Sequence, residues 1–262
     1  MRELFEVYRH YRDPVAQFTH RLLHAPSRRS SLKWKWILLQ PALMLVAYLI
    51  TFTFVFPGSY GELATDTRVD YAVAVYLSLT VFNFATDVVS GAPFLFEMHR
   101  SLLQHTRLPA EVFVVASLQA AVVRFAISMA LCLAIATVMS HVHWTLIWMA
   151  PELVAYVFFL LGLSMILAVL GMLYTDLRQL VGLVCTLLMF CSAVFYPSRL
   201  LPLWMQRLNP FFQPIDLTRQ YVLWGKPFSY GLPGLIVEII FAVISIGVGV
   251  GLLRRHRGVL TE

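Results

Sequence analysis

Apolar residues gather in six long runs, at 36–56, 71–96, 112–140, 145–173, 180–195 and 232–253, with short polar breaks between them. A helix rises 1.5 Å per residue, so about 20 apolar residues cross the ~30 Å hydrocarbon layer of a bilayer. The pattern predicts an all-α, polytopic membrane protein with six transmembrane helices. Ahead of the first run, Leu4, Tyr8, Tyr11, Val15, Phe18 and Leu22 recur at alternating steps of four and three, with arginines and histidines filling much of the rest. That is one apolar helix face, and it predicts an amphipathic segment lying on the membrane surface. Asp13 as an N-cap with Pro14 at the first helical position predicts two helices there. A disordered basic tail is the competing reading.

Between the fifth and sixth runs stands FYPSRLLPLWMQRLNPFFQPIDLTRQYVLWG, residues 195–225, cut by Pro197, Pro202, Pro210 and Pro214 into pieces too short to span. Irregular backbone is tolerated at membrane depth only where protein or a water-filled cavity covers it. The insert is expected to form two short re-entrant helices, 198–208 and 214–224, meeting at Asn209 and Pro210. An ordinary loop carrying amphipathic helices is the alternative.

Composition narrows the class. With 59% hydrophobic and 13% charged residues, and a mean hydropathy of +0.74, this is not an ordinary soluble domain. Six spans place both termini on one side, and Arg2, Arg9, Arg12, Arg21, Arg28, Arg29, Lys33, Lys35, Arg100, Arg107, Arg178, Arg254, Arg255 and Arg257 all fall there, which marks it as cytoplasmic. The net charge of +6 follows from that bias and gives no reason to invoke nucleic acid. Arg68, Arg199, Arg207, Arg219 and Lys226 fall on the other side. Cys132, Cys185 and Cys191 lie inside spans without metal-ligand spacing and read as small hydrophobes. No signal peptide is expected, since the first apolar run follows a long basic leader.

Candidate chemistry is sparse. Asp87 and Arg124 are charges deep inside apolar runs, about 15 and 20 Å from the connector between spans two and three. A charge at such depth costs at least ~3 kcal/mol unless paired or wetted, so the two are expected to pair or to face a hydrated pathway. No G-x-x-x-x-G-K-S/T sequence occurs, so the chain does not hydrolyse ATP through a P-loop of its own, and no cofactor is expected on it. His141 and His143 lack further metal ligands and read as an interfacial turn. The glycine, leucine and serine at 162–164 have no histidine in a span to activate a nucleophile. Gly247 and Gly251 have the spacing that permits close helix packing, and Asp176 reads as a helix cap. Of the many aromatics, Phe52, Tyr76, Phe82, Phe84, Phe211 and Tyr221 are candidates to stack on flat rings of a passing cargo; lipid-facing and interfacial aromatics are the commoner case.

The order of an apolar span, Phe195-Tyr196-Pro197, Leu201-Pro202, Asn209-Pro210, and an Arg219-bearing helix closing on Leu223-Trp224-Gly225 resembles the permease subunits of type-2 ABC exporters. The O-antigen and related polysaccharide exporters are the most similar. Leu32, Trp36 and Pro41 match the family's approach to its first span, with Lys33 where many members have glycine. EMHRSLLQHTRLPAE, residues 97–111, resembles its basic connector between spans two and three, and MLYTDLRQLVG has Thr175-Asp176 where the family usually reads arginine-aspartate. The resemblance implies an interfacial segment at 1–35 and an ABC-2 type transmembrane domain at 36–262. It also implies a homodimer with the pore between its copies, and a separate ATPase subunit that binds ATP and Mg. Met98, Arg100, Leu103 and Gln104 would contact that ATPase. Tyr196, Pro197, Leu201, Pro202, Trp204, Asn209, Pro210 and Arg219 would build a periplasmic gate. The expected function is export of a lipid-linked, O-antigen-like polysaccharide across the inner membrane of a Gram-negative-like cell. Alternatives are a capsule or teichoic acid permease, an ion-coupled transporter using Asp87 and Arg124, or a membrane-embedded enzyme.

Overall fold

The structure, a computed structural model, describes residues 9–24, 35–55, 58, 60–61, 67–105, 108–138 and 142–256. Leu4, Tyr8, Leu32, Lys33 and His141 lie outside them. The described residues are helical: α1 (Arg12–His24), α2 (Trp36–Ile50), α3 (Arg68–Gly91), α4 (Arg100–His105), α5 (Glu111–Val138), α6 (Met149–Leu173), α7 (Leu177–Cys191), α8 (Leu203–Leu208), α9 (Phe212–Val222) and α10 (Phe228–Arg255). A π-helical turn, Thr51–Val55, prolongs α2, and the short helices Ala92–Phe94 and Leu95–Met98 prolong α3.

Among the described residues, five stretches are long and apolar enough to cross a membrane: Trp36–Val55, Arg68–Met98, Glu111–Val138, Trp144–Leu173 and Phe228–Arg255. The run at 180–195 behaves differently. Its helix, α7, has 15 residues, starting three earlier and stopping four earlier than expected. At ~22 Å it is shorter than the hydrocarbon layer. The chain leaves the helix at Ser192, and Ala193 takes a left-handed backbone with φ 52°.

α3 is the axis of the fold. A capping box fixes its start: the Asp70 backbone N–H donates to Thr67 Oγ1 at 3.2 Å, and the Thr67 N–H donates to Asp70 Oδ2 at 2.8 Å. From Asp70 to Phe82 every residue is buried, and within the next two turns only Asn83 and Asp87 are exposed. Around it pack α2, α5, α6, α7 and α9.

α6 and α10 pack side by side, running the same way. A Cβ on Gly162 would strike the backbone of Ser245 and Ile246, and one on Gly249 would strike the Gly162 carbonyl and Met165. Small residues there let the two backbones approach. Gly247 and Gly251, expected to serve this purpose, instead face open space. The glycine of α10 that does pack, Gly249, lies two residues from each of them, and its partner Gly162 is on α6.

The N-terminal segment also departs from expectation. Asp13 and Pro14 sit inside the first turn of α1, so Asp13 is not its cap, and the bend falls at Tyr11. Its apolar face docks on α5: Val15 packs with Val112 and Ala116, and Phe18 lies 4.9 Å from the Phe113 ring. The Thr19 hydroxyl lies 3.0 Å from Gln119 Oε1. A helix seated this way is tied to protein at residues Arg12–His24, not held by lipid alone.

Candidate functional site

Two polar stripes face each other across a cleft. On α3, Thr80, Asn83 and Asp87 follow one another at steps of three and four; on α5, Ser117, Ala121, Arg124 and Ser128 do the same, so each set lies on a single helix face. Packing α3 against α5 brings the stripes together, and the Arg124 Nε–H donates to Asp87 Oδ2 at 2.7 Å. α2 and the end of α1 close the sides through Trp36, Gln40, Tyr48 and Leu22. The cleft holds about 650 Å³. The two charges therefore pair and line an open space at once. Their side chains remain 39% and 48% exposed, which screens the attraction and leaves the guanidinium's remaining donors accessible.

Of the six candidate sugar-stacking aromatics, Tyr76 and Phe84 lie next to this cleft, but each is only 3% exposed. Phe82, Phe211 and Tyr221 are buried in the core, where Phe211 meets Phe159 at 5.7 Å edge to face. Phe52 stacks on Phe195 at 5.9 Å beside the opposite end of the bundle.

That end is closed by the proline-cut insert. Its first part is a short 3₁₀ turn, Ser198–Leu200, followed by α8; its second is α9, which begins two residues before Pro214. The junction at Asn209 and Pro210 is where the sequence puts it: the Asn209 side chain donates to the Cys191 carbonyl at 3.0 Å, and its Oδ1 accepts from the Phe211 N–H at 3.0 Å. The two helices differ in kind. α8 exposes Leu203, Trp204 and Leu208, whereas α9 is buried nearly throughout.

Arg219 explains α9. Its guanidinium is fully buried, and it donates to Tyr60 Oη at 3.0 Å, Ser78 Oγ at 3.1 Å, the Ala193 carbonyl at 2.6 Å and Asp216 Oδ1 at 2.9 Å. It thereby ties α9 to α3, to the turn after α7, and to the loop before α3. Tyr60 passes the tie on by donating to the Val194 carbonyl at 2.6 Å. Burial would lower the pKa of Arg219, but Tyr60 and Asp216 outweigh it and raise it, so the group stays charged. The Ala193 carbonyl bond also offsets the ~1–2 kcal/mol that a left-handed alanine costs. Arg219 is thus a buried strut, not an outward-facing gate charge. Tyr196 donates to the Phe190 carbonyl, Pro197 is buried, Leu201 is half-buried and Pro202 is exposed.

At the basic end, Met98, Arg100 and Gln104 are exposed, while Leu103 turns inward. Arg178, at the start of α7, forms an ion pair with Glu97 and donates to the Gly171 carbonyl at 3.1 Å. It clamps α6, α7 and the connector together. Asp176 stands at the N-cap position of α7 without a side-chain capping bond.

Three features escaped the sequence reading. The Glu97 and Arg178 pair is 81 positions apart and no local pattern links it. Tyr60 and Ser78 are ordinary residues until Arg219 joins them. Glu152 and Glu238 were legible in principle, as ionisable residues inside the fourth and sixth apolar runs, by the rule that singles out Asp87.

The profile of the family described as ABC-2 type transporter matches residues 18–223, from α1 through α9. The O-antigen export system permease protein RfbA of Myxococcus xanthus is 25% identical over 198 residues, covering 75% of this chain and 72% of that protein.

Proposed function

The chain belongs to the ABC-2 type transporter family, and we propose on that premise that it is the channel-forming subunit of an exporter of lipid-linked polysaccharide in a bacterial inner membrane. It is a multi-pass transport subunit and not a nucleotide-binding enzyme, and the family implies an ABC ATPase partner. ATP and Mg would be held by that partner, and the exposed Met98, Arg100 and Gln104 would meet it.

The observation that carries the reading is the cleft. The cleft presents facing polar stripes, a half-exposed ion pair, and Trp36 and Tyr48 at its sides, which suit a polar, sugar-bearing cargo better than an apolar one. The export permease RfbA supports O-antigen-like polymer as that cargo. In this reading α7 and the segment after it complete a sixth span, and both termini are cytoplasmic. Two copies meet along α2 and α7, whose Leu38, Leu43, Met44, Leu183, Leu187 and Phe190 are exposed apolar residues. The movable part of the outer gate is α8, since Arg219 pins α9.

Deleting the gene and following the surface polymer tests this. Loss of surface polysaccharide, with lipid-linked polymer accumulating inside and an ATPase co-purifying with the tagged chain, is expected. Unchanged surface polymer would overturn it, and the accumulated glycolipid distinguishes O-antigen from capsule or teichoic acid.

A further inference from the structure

Glu152 on α6 and Glu238 on α10 have no role in the cleft or the cap, yet both are buried, at 1% and 0% exposure. The parallel packing of α6 and α10 sets Gly162 against Ser245 and Ile246, so ten residues earlier Glu152 comes opposite position 236, one turn or less from Glu238. The two carboxyls lie within electrostatic range of each other, as do Glu238 and the Tyr156 hydroxyl, and Glu152 and the Tyr221 hydroxyl. Both oxygens of Glu238, Oε1 of Glu152 and the Tyr156 hydroxyl find no hydrogen-bond partner among the described residues. Tyr156 is itself fully buried.

Charge cannot resolve this cluster. On α6 and α10, Glu152 and Glu238 are the charged residues until Arg254 at the far end. Among the described residues, the titratable groups that interact with them are Tyr156 from α6, Tyr221 from α9 and Cys185 from α7, none of them a cation. The Arg219 guanidinium on α9 is directed to Tyr60, Ser78, Ala193 and Asp216. His143 is exposed beyond the helix ends. Two carboxylates within electrostatic range of each other in a buried, low-dielectric interior do not both ionise, and an uncompensated one is costly. A proton removes each charge, and with it most of the cost of burying the group.

We propose that Glu152, Glu238 and the Tyr156 hydroxyl form a proton-binding site between α6 and α10, with both carboxyls protonated in this conformation. Tyr221 connects the site to α9, because its hydroxyl lies where a Cβ on Gly231 of α10 would be. The site is thus placed under the outer cap, about 12 Å from the start of Trp144–Leu173 at Glu152 and about 15 Å from the start of α10 at Glu238. The proposal does not depend on which substrate the cleft takes.

Infrared difference spectroscopy on the full chain in membranes tests it. Wild type minus Glu238→Gln, and wild type minus Glu152→Gln, are each expected to show the carbonyl band of a protonated carboxylic acid at pH 8. An ordinary glutamate is less than about one part in a thousand protonated at that pH. The band should change less than twofold between pH 6 and pH 8. Carboxylate bands in its place would overturn the proposal. So would replacement of the acid band by carboxylate on adding sodium, magnesium or calcium, which would make this a cation site. Should a glutamine variant fail to fold, labelling of wild-type Glu238 by a hydrophobic carbodiimide, which attacks the protonated acid, decides the matter by mass spectrometry: undiminished labelling at pH 8 supports it, and a roughly hundredfold fall from pH 6 refutes it.

Discussion

Removing the cleft's ion pair one side at a time is the most informative perturbation. Arg124→Ala leaves Asp87 on the wall of a membrane-embedded cleft without its 2.7 Å partner. A fully exposed pair contributes about 0.2–1 kcal/mol, and breaking a buried one costs about 3–5. With side chains 39% and 48% exposed the pair lies between, so the single change should cost about 2 kcal/mol. The double variant, Asp87→Ala with Arg124→Ala, leaves no orphan charge and should cost about 1 kcal/mol. For a chain of this size each kcal/mol moves Tm by roughly 2–4 °C, so Arg124→Ala should fall about 4–8 °C and the double variant about half that. Unfolding in detergent is irreversible for many such proteins, so thermal aggregation at a fixed scan rate is the suitable assay. Additive losses, with no coupling beyond ~0.3 kcal/mol, would refute the pairing. A swap, Asp87→Arg with Arg124→Asp, separates stability from transport. It should recover most of the Tm yet fail to restore polymer export if the guanidinium contacts cargo from α5. Full export by the swapped protein would reduce the pair to a structural role.

Arg219→Gln and Arg219→Lys both remove most of the four-partner strut, and each should cost 3 kcal/mol or more, read as lost folded protein or a Tm drop of roughly 6–12 °C; lysine at wild-type Tm would show that charge alone suffices. Gly162→Val should force α6 from α10 at a cost of about 2–3 kcal/mol, while Gly247→Val, with open space around it, should leave Tm within about 2 °C. Arg100→Glu should weaken co-purification of the ATPase and lower its stimulated hydrolysis without lowering the permease's own Tm, and unchanged assembly would exclude the connector as the docking point. Cysteine pairs that crosslink Trp204 of two copies should block export while leaving nucleotide binding intact, whereas full export would make α8 an ordinary loop.

Much of this protein was legible in its sequence because the bilayer is a severe solvent. It demands about 20 apolar residues for each crossing, which is why the five long helices fall close to where the hydropathy places them. Proline removes a backbone donor, so the insert breaks where Pro202 and Pro210 stand, whereas Pro214 is accommodated in the first turn of α9. The depth of Asp87 and Arg124 could be counted at 1.5 Å per residue, and similar depth made a pair reasonable.

What only tertiary structure decided are the relations between residues far apart in the chain. α7 ends early because the turn after it is held by Arg219, 26 positions on, and nothing local in that apolar run signals the stop. Arg219 reads as an outward charge by position and becomes a buried strut because four oxygens from four segments converge on it. Gly162 and Gly249, not Gly247 and Gly251, form the helix contact, since a spacing motif fixes a face but not what the face meets. The aromatics Phe82, Phe211 and Tyr221 fill the core because helix packing, set by the crossing of many side chains at once, turns them inward. Periodicity specifies which residues share a side of a helix; only the assembled neighbours determine whether that side meets lipid, protein or the cleft.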